Sequence, residues 1–332
     1  MPSDLALVRR FPSLARVPRV SLGTFPSPVE RLDDERCVLW IKRDDLDAPT
    51  LGGNKVRALE FLLAGVREGS RVLTIGGVGS THILATATHA ARLGARTSAF
   101  RWPHETNEVA AEVARAIDER LDEAPVFGSI VTAVGRALWR RATRGEHWVP
   151  FGGTSPTGML GHVSAALELA EQVAGGAVPE PVEVWVPLGS GGTAAGLALG
   201  FAIAGMGTAV VAVRCGPRLG VDEERLRWLA MRAAQLIQRE GGRVSRIDRT
   251  GAGPRVRIHH AAYAGSYGRP LPAADPVAAR LERILGLRLD ATYSAKACYA
   301  ALQRAETTSA PVLLWQTFDG RWLDPAGADG TR

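Results

Sequence analysis

The chain has 332 residues, 46% of them hydrophobic, and its formal net charge is +6. This length provides for one large or two medium domains with cores of their own. The arginines are scattered and accompany no nucleic-acid-binding motif, so we expect no nucleic-acid partner. No apolar run is long enough to cross a bilayer, which predicts a soluble protein without a membrane partner.

The cysteines, Cys37, Cys215 and Cys298, are widely spaced and form no CxxC pair. An odd number of separate thiols is typical of a reducing compartment and unlike a zinc site, so we expect a cytoplasmic protein without a metal. The N-terminal segment contains arginine and serine, but Pro12 and Pro18 interrupt it. We therefore expect no transit peptide.

Segments rich in β-branched residues alternate with helical patterns along most of the chain. The predicted strands are Val38–Ile41, Val72–Ile75, Thr97–Phe100, Trp148–Phe151, Val182–Val186, Ala209–Val213 and Val312–Trp315. The predicted helices are Lys55–Arg67, Thr81–Leu93, Glu105–Arg120, Gly158–Ala174, Thr193–Ala204, Glu223–Glu240, Pro276–Leu285 and Ala295–Ala305. This alternation predicts an α/β fold with two open, mainly parallel sheets. Gly- and Pro-rich boundaries lie at 48–53 and 150–158, and Gly251–Pro272 is predicted as a long loop.

Lysine is rare: it occurs only at Lys42, Lys55 and Lys296 in a chain with 40 basic residues. A lysine retained among so many arginines indicates chemistry that a guanidinium cannot perform, since only an amine can deprotonate and attack a carbonyl. Lys55 follows Gly52-Gly-Asn, and Asn54 is predicted to cap the next helix, which places Lys55 in its first turn. The positive end of the helix dipole there favours the neutral amine that a Schiff base needs. The alternative is a capped helix with an exposed lysine.

A second motif, Gly189-Ser-Gly-Gly-Thr193, lies between a predicted strand and a predicted helix. Its glycines allow successive N–H groups to converge on an anion, and the helix dipole adds to their attraction. Polar donors without a cation suit a monophosphate. The spacing matches neither the P-loop nor the dinucleotide fingerprint. A tight glycine turn without a ligand is the alternative.

Two further groups of residues offer hydroxyls or an imidazole to a ligand. The loop Gly76–His82 carries Ser80, Thr81 and His82, although Ser80 and Thr81 could simply cap the following helix. All tyrosines of the chain fall in the same C-terminal third as Lys296. Packing at an interface is the alternative for them.

These parts together match the needs of pyridoxal 5′-phosphate (PLP), which requires an amine for its aldehyde, a cradle for its phosphate and a partner for its pyridine nitrogen. The sequence resembles the fold-type II PLP enzymes, specifically the D-cysteine desulfhydrase/1-aminocyclopropane-1-carboxylate (ACC) deaminase family. Trp40-Ile-Lys-Arg-Asp-Asp-Leu46 and Gly52-Gly-Asn-Lys-Val-Arg57 carry the resemblance most specifically, and Gly189–Thr193 matches the family's phosphate loop. The resemblance implies a tryptophan synthase beta-like fold of two domains, with 1–51 and 152–332 in the large PLP-binding domain and 52–151 in the small one. It also implies a homodimer.

The resemblance assigns roles to single residues. Lys55 is implied as the Schiff-base lysine, whereas Lys42 falls in a structural motif and is interpreted as a charge partner. Ser80 and His82 match a loop that contacts the substrate carboxylate and the cofactor ring. The predicted site comprises catalytic Lys55, Ser80 and Tyr293; cofactor-binding Lys55, Asn54, Thr81, Gly189, Ser190, Gly191, Gly192, Thr193 and Thr317; and substrate-binding Ser80, Thr81, His82, Tyr267 and Tyr293. Thr317 resembles the hydroxyl residue that faces the pyridine nitrogen.

The chain also departs from the family pattern. Thr81 replaces an asparagine, Leu84 and Ala85 replace polar residues, and Phe318-Asp319 replaces two glycines after the threonine. His82 and Ser294 stand where ACC deaminase-like members carry Gln and Glu, so the sequence resembles the D-cysteine desulfhydrases more than the ACC deaminases at these positions. We therefore expect PLP-dependent deamination with β-elimination on a small amino acid, D-cysteine or a close analogue. The alternatives are ACC deaminase, racemase, lyase or β-replacement chemistry on the same fold, or a non-catalytic PLP-binding paralogue.

Overall fold

The computed structural model describes residues 5–33, 37–217, 220–244 and 253–323. The strands are β1 (Val29–Asp33), β2 (Val38–Arg43), β3 (Arg71–Gly77), β4 (Arg96–Trp102), β5 (His147–Trp148), β6 (Glu183–Leu188), β7 (Ala209–Arg214), β8 (Val256–His259) and β9 (Val312–Gln316). The α-helices are α1 (Ala6–Arg10), α2 (Asn54–Leu62), α3 (Thr81–Ala91), α4 (Glu108–Arg120), α5 (Ile130–Arg144), α6 (Pro156–Ala174), α7 (Gly192–Ala204), α8 (Glu223–Arg239), α9 (Asp275–Leu285) and α10 (Ser294–Ala305). Short 3-10 helices lie at Pro12–Arg16, Asp44–Leu46, Phe151–Gly153, Pro272–Ala274 and Arg321–Leu323.

The larger sheet has six strands in the order β1-β2-β9-β6-β7-β8. All neighbours are parallel except β1, which pairs antiparallel with β2 after a short connection. The central strands β7 and β9 are apolar runs that are buried almost throughout, as expected for parallel strands with helices on both faces. The prediction of an α/β fold with mainly parallel sheets is confirmed.

Helices α6 and α7 form the centre of the large core. Every residue of α7 from Gly192 to Phe201 is buried, so the helix is apolar on all sides, as a fully enclosed helix must be. Gly196 and Gly200 permit close packing on α6, because an added Cβ at either position would come within 2.5 Å of a Cβ atom of α6. The close approach holds the N-terminus of α7 in place.

The smaller sheet has three parallel strands in the order β4-β3-β5; α3 and α5 pack against it, and α4 packs against α3. Because parallel strands end at the same edge, the segments after β3, β4 and β5 all emerge on one side. The strands of this sheet fall inside the predicted small domain, 52–151. The domain boundaries themselves stay a prediction.

Several elements differ from the sequence-based expectation. The segment Gly251–Pro272 is not a loop throughout, because β8 pairs with β7 inside it. Its edge position explains the miss: alternating Arg and apolar residues form no continuous apolar run. The helix α5 was also missed, since β-branched residues at its start imitate a strand, although the Ser129 hydroxyl caps it by accepting from the N–H of Thr132 at 3.2 Å. The helix α1 and the strand β1 were not predicted either. The predicted strand Trp148–Phe151 is shorter in the structure, where β5 ends at Trp148, because Pro150 has no N–H to donate to a neighbouring strand.

No helix of the described residues is long and apolar enough to cross a membrane. This finding agrees with the absence of a long apolar run in the sequence.

Candidate functional site

A cavity of about 840 Å³ lies between the carboxyl ends of the two sheets. Such an edge is where ligands bind in open α/β folds. The structure brings together in its wall all but one of the residues predicted for the site: Asn54, Lys55, Ser80, Thr81, His82, Gly189, Ser190, Gly191, Thr193, Tyr267, Tyr293 and Thr317. Gly192 belongs to the same loop but does not line the cavity.

Lys55 is the second residue of α2, so its predicted position in the first turn is correct. The prediction that Asn54 caps this helix is wrong. Gly53, with φ 114°, is the N-cap, and Asn54 is already helical. Glycine is required at position 53 because an added Cβ would overlap the carbonyl oxygen of Thr317. The Asn54 side chain instead donates from Nδ2 to the Thr193 hydroxyl at 2.8 Å, which joins the lysine-bearing helix to the Gly-rich loop.

The Lys55 amine is half-buried at the cavity wall and donates to the carbonyl oxygen of Gly152 at 3.5 Å. Burial lowers its pKa to about 8. Burial and the nearby Lys55 also lower the pKa values of His82 and His162 to about 3, so both imidazoles are neutral. The amine therefore has neutral imidazoles near it, and a larger fraction of it is uncharged at neutral pH than of an ordinary lysine.

The loop Gly189–Thr193 joins the end of β6 to the start of α7. Gly191 adopts φ 92°, a conformation that favours glycine, and the Ser190 and Thr154 hydroxyls hydrogen-bond at 2.6 Å. An added Cβ at Gly192 would lie 2.7 Å from the Thr154 hydroxyl oxygen. The loop is thus a small cradle of N–H and hydroxyl donors at the N-terminus of a thirteen-residue helix, which suits a phosphate group.

Ser80 and His82 lie where β3 leads into α3. Ser80 is the N-cap residue of α3, but its side chain forms no capping hydrogen bond, so the structural alternative for it is not observed. His82 is buried, and its Nε2 lies 3.0 Å from the Thr74 hydroxyl. Thr81, the first helical residue, faces the cavity with them.

Two tyrosines form a hydrogen-bonded pair on the other side of the cavity. The Tyr293 hydroxyl donates to the Tyr267 hydroxyl at 2.7 Å. Burial raises the pKa of Tyr267 to about 12 and that of Tyr293 well above its ordinary value. Both phenols are therefore protonated at neutral pH.

The other lysines have different surroundings. Lys42 is fully buried and donates to Glu168 at 2.5 Å and to Gln172 at 2.7 Å, as expected of a charge partner. Lys296 is also buried, does not line the cavity, and its Nζ has no hydrogen-bond partner among the described residues. Lys55 is thus the lysine that faces the cavity.

Sequence reasoning missed several groups at this site. Asp290 lines the cavity and positions Tyr293, because its Oδ1 accepts from the Tyr293 N–H at 2.7 Å. His162 was judged structural or solvated, yet its Nε2 lies 3.5 Å from the Thr193 hydroxyl. Thr154 could have been found from its Gly-Gly-Thr context, whereas His162 has no such signal, since it lies in an ordinary helical pattern.

Comparison with known proteins adds to this geometry. The family described as pyridoxal-phosphate dependent enzyme matches residues 20–315. The chain belongs to this family. Among its relatives, the nocardicin C-9′ epimerase of Nocardia uniformis subsp. tsuyamanensis is 36% identical over 321 residues, which cover 92% of this chain and 93% of that protein. The D-cysteine desulfhydrase of Yersinia pestis (strain Pestoides F) is 30% identical, over 88% of this chain and 90% of that protein.

A solved structure supports the same fold. The crystal structure of an ACC deaminase homologue superimposes with a TM-score of 0.76 and 26% identity, covering 93% of this chain and 94% of the other. The chain is therefore a fold-type II PLP enzyme with relatives among the ACC deaminases and D-cysteine desulfhydrases. Its cofactor is PLP.

The described residues fit this cofactor. An amine with a lowered pKa lies in the same cavity as a glycine cradle in which an added Cβ at Gly191 or Gly192 would approach a neighbouring side chain to 2.7 Å. Lys55 would hold the aldehyde carbon and Gly189–Thr193 the phosphate, with Thr317 as the predicted partner of the pyridine nitrogen. Because Asn54 bonds to Thr193, the two attachment points are linked directly.

Proposed function

We propose that this enzyme removes the α-proton of an amino acid with Lys55 as the base, and that the β-substituent is then lost and the product deaminated. The observation that carries the proposal is the position of the Lys55 amine in one cavity with the Gly189–Thr193 cradle and two protonated phenols. Bound there, PLP would supply an electron sink for the α-carbon.

Different residues of the cavity would bind the substrate carboxylate, remove the α-proton and contact the leaving group. Ser80 and Thr81, at the N-terminus of α3, would bind the substrate carboxylate, since hydroxyls and the helix dipole both favour an anion there. Once the substrate amine has replaced it at the aldehyde carbon, the released, neutral Lys55 amine would take the α-proton as a general base. The Tyr293–Tyr267 hydroxyl pair, positioned by Asp290, would donate a hydrogen bond to the departing β-substituent.

D-cysteine carries the leaving group that this chemistry needs, and the 30% identity to a D-cysteine desulfhydrase supports its choice as a first substrate. Its products would be a keto acid, ammonia and sulfide. The predicted homodimer and the cytoplasmic location stay predictions.

Epimerisation is the second candidate, and the 36% identity to an epimerase over 321 residues favours it. The first step would be the same, with Lys55 removing the α-proton. The two reactions differ in their second step, because an epimerase returns a proton to the opposite face of the α-carbon. Ser80 or Tyr293 would be the donor.

The test is to incubate the holoenzyme with D-cysteine, L-cysteine, D-serine and ACC in deuterated water. Keto acid from cysteine or serine, with sulfide from cysteine, would indicate elimination, whereas α-deuterium with inverted configuration and no keto acid would indicate epimerisation. ACC has no α-hydrogen, so keto acid from ACC would indicate ACC deaminase chemistry instead. Lys55→Ala should abolish both the visible absorbance of lysine-bound PLP and every product. Lys296→Met, which removes another buried amine, should retain them.

The proposal is wrong if Lys55→Ala keeps the absorbance of the wild type. Spectral changes without α-proton exchange or product would instead favour a binding-only paralogue.

A further inference from the structure

One side of the cavity is formed by large apolar side chains of the small sheet. Trp102 ends β4, Trp148 ends β5, and Phe151 comes shortly after β5. Ile130 begins α5 beside them. All four line the same cavity as Lys55, and we call them the apolar wall.

The apolar wall begins next to the reactive amine. Phe151 precedes Gly152, whose carbonyl oxygen accepts the Lys55 hydrogen bond at 3.5 Å. The rings of Trp102 and Phe151 pack at a centroid distance of 5.5 Å with an interplanar angle of 54°, so they present one continuous surface. A group attached to a substrate bound at Lys55 can therefore reach this surface.

The wall is incompletely covered by the protein itself. Phe151 is 41% exposed and Ile130 is 38% exposed, although both line a concave site. Apolar surface of this kind, beside a candidate reaction centre, stabilises a complex when a ligand removes it from water.

The charges of the cavity lie elsewhere. Its charged residues other than Lys55 include Arg214, Arg225 and Asp290, which belong to or adjoin elements of the larger sheet. None of the wall residues carries a charge, so the wall fits an apolar group and not a second carboxylate or a phosphate.

The substrate shares this cavity with the cofactor. The volume of about 840 Å³ includes the space at Lys55 and at the Gly189–Thr193 cradle that PLP would occupy, so the wall residues, and not the volume, indicate the substrate class. A cysteine side chain, which adds a single sulfur beyond Cβ, would leave the wall uncovered.

We infer that the substrate is an amino acid whose side chain ends in an aromatic or other large apolar group, which lies against Trp102, Phe151 and Ile130. This inference rests on the proposed function and specifies the substrate class of the same site. It departs from the small amino acid implied by the family resemblance. In an elimination the apolar group leaves with the β-substituent, and in an epimerisation it stays on the product.

The test measures binding, by calorimetry and by the change in the visible spectrum of the holoenzyme, for the D and L forms of phenylalanine, tryptophan and alanine. We expect one enantiomer of an aromatic amino acid to bind roughly tenfold more tightly than alanine. Phe151→Ala and Trp102→Ala should each weaken that binding by roughly tenfold and leave alanine binding unchanged. Because Phe151 is already 41% exposed, its truncation opens no buried core.

Two control variants accompany this test. Trp102→Phe keeps an aromatic ring and should retain most of the aromatic affinity. Trp139→Ala removes a 59% exposed tryptophan of α5 that does not line the cavity. It should change neither the affinity for the aromatic amino acid nor the affinity for alanine.

The outcomes separate this inference from the proposed function. If alanine and the aromatic amino acids bind equally, or if the wall variants weaken both equally, the inference is overturned while the proposed function stands. If no amino acid, alanine included, binds or changes the spectrum, the proposed function fails and the inference fails with it.

Discussion

At the scale of single residues, the lysines show how surroundings decide the role of one side chain. Lys42 hydrogen-bonds to a carboxylate, whereas the Lys296 amine has no hydrogen-bond partner among the described residues, but both are enclosed by protein. Lys55 alone of the three reaches the cavity, where burial holds its pKa near 8. A neutral amine at the surface of a cavity is the form that attacks an aldehyde.

Capture of PLP by the apoprotein should therefore accelerate as the pH rises through about 8. The lowered pKa makes the neutral amine dominant above this value, whereas an ordinary lysine would stay protonated up to 10.5. Stopped-flow absorbance across neutral and alkaline pH measures the rate, with Lys55→Arg as the variant that cannot capture the cofactor. A rate that keeps rising steeply until pH 10.5 would contradict the lowered pKa.

At the scale of elements, the site depends on where helices begin relative to strand ends. The start of α2 lies against the end of β9, where the N–H of Asn54 donates to the Thr317 carbonyl oxygen at 3.4 Å. Only the missing side chain of Gly53 permits this approach. One glycine thus sets the distance between the lysine-bearing helix and the residue predicted to face the pyridine nitrogen.

Gly53→Ala should weaken PLP binding by at least roughly tenfold, because the added methyl group must displace the first turn of α2 from Thr317. Gly69→Ala is the matched control: Gly69 also has a positive φ, 77°, but an added Cβ there meets nothing within 4 Å. It should cost about 1–2 kcal/mol of stability and leave PLP affinity intact. PLP titration and denaturant unfolding measure both effects, and equal PLP affinities of the two variants would refute the steric argument.

At the scale of the whole molecule, a buried ionic cluster joins three parts of the fold. Arg57 of α2 donates to Asp44 at 2.7 Å and to Glu168 of α6 at 3.0 Å, and Lys42 of β2 donates to the same glutamate. Burial alone would raise the pKa values of Asp44 and Glu168, but Arg57 and Lys42 outweigh it and lower both. The cluster fixes the helix that carries Lys55 against the large core.

Glu168→Gln should lower the free energy of unfolding by about 3–5 kcal/mol, because it leaves two buried cations with an incomplete set of partners. Glu171→Gln, on the same helix but 47% exposed, should have little effect. Denaturant unfolding at neutral pH compares the two variants. If both variants lose the same free energy of unfolding, the buried cluster stabilises the protein no more than the exposed Arg9–Glu171 ion pair does.

The same cluster predicts an acid dependence. The folded-state pKa values of Asp44 and Glu168 are lowered, so their stabilisation is present at neutral pH and is lost as the pH falls below the ordinary values of 3.8 and 4.5. The wild type should therefore lose more stability on acidification than Glu168→Gln, and denaturant unfolding repeated at acidic pH measures the difference.

Segments outside the strands join the two parts of the fold beside the cavity. Asn107, the N-cap of α4, donates to the Gly268 carbonyl and to the Thr292 hydroxyl, each at 2.8 Å. His104 packs edge-on against Tyr267 at 4.4 Å between ring centroids. The segment after β4 thus supports the tyrosine pair from the side of the small sheet.

The alternation of strands and helices, the lysine in a first helical turn and the Gly-rich loop were predictable from the sequence, because propensity, periodicity and glycine spacing are local properties. Three contacts were not predictable in this way: Asn54 bonds to Thr193, His162 lies beside the same hydroxyl, and Trp102 and Phe151 form one surface. These contacts join residues far apart in the chain, and their distances depend on helix packing and strand order, which no local pattern encodes. The edge strand β8 and the helix α5 were missed for local reasons, since β8 has no continuous apolar run and α5 begins with β-branched residues, whereas the buried central strands were predicted from their apolar runs.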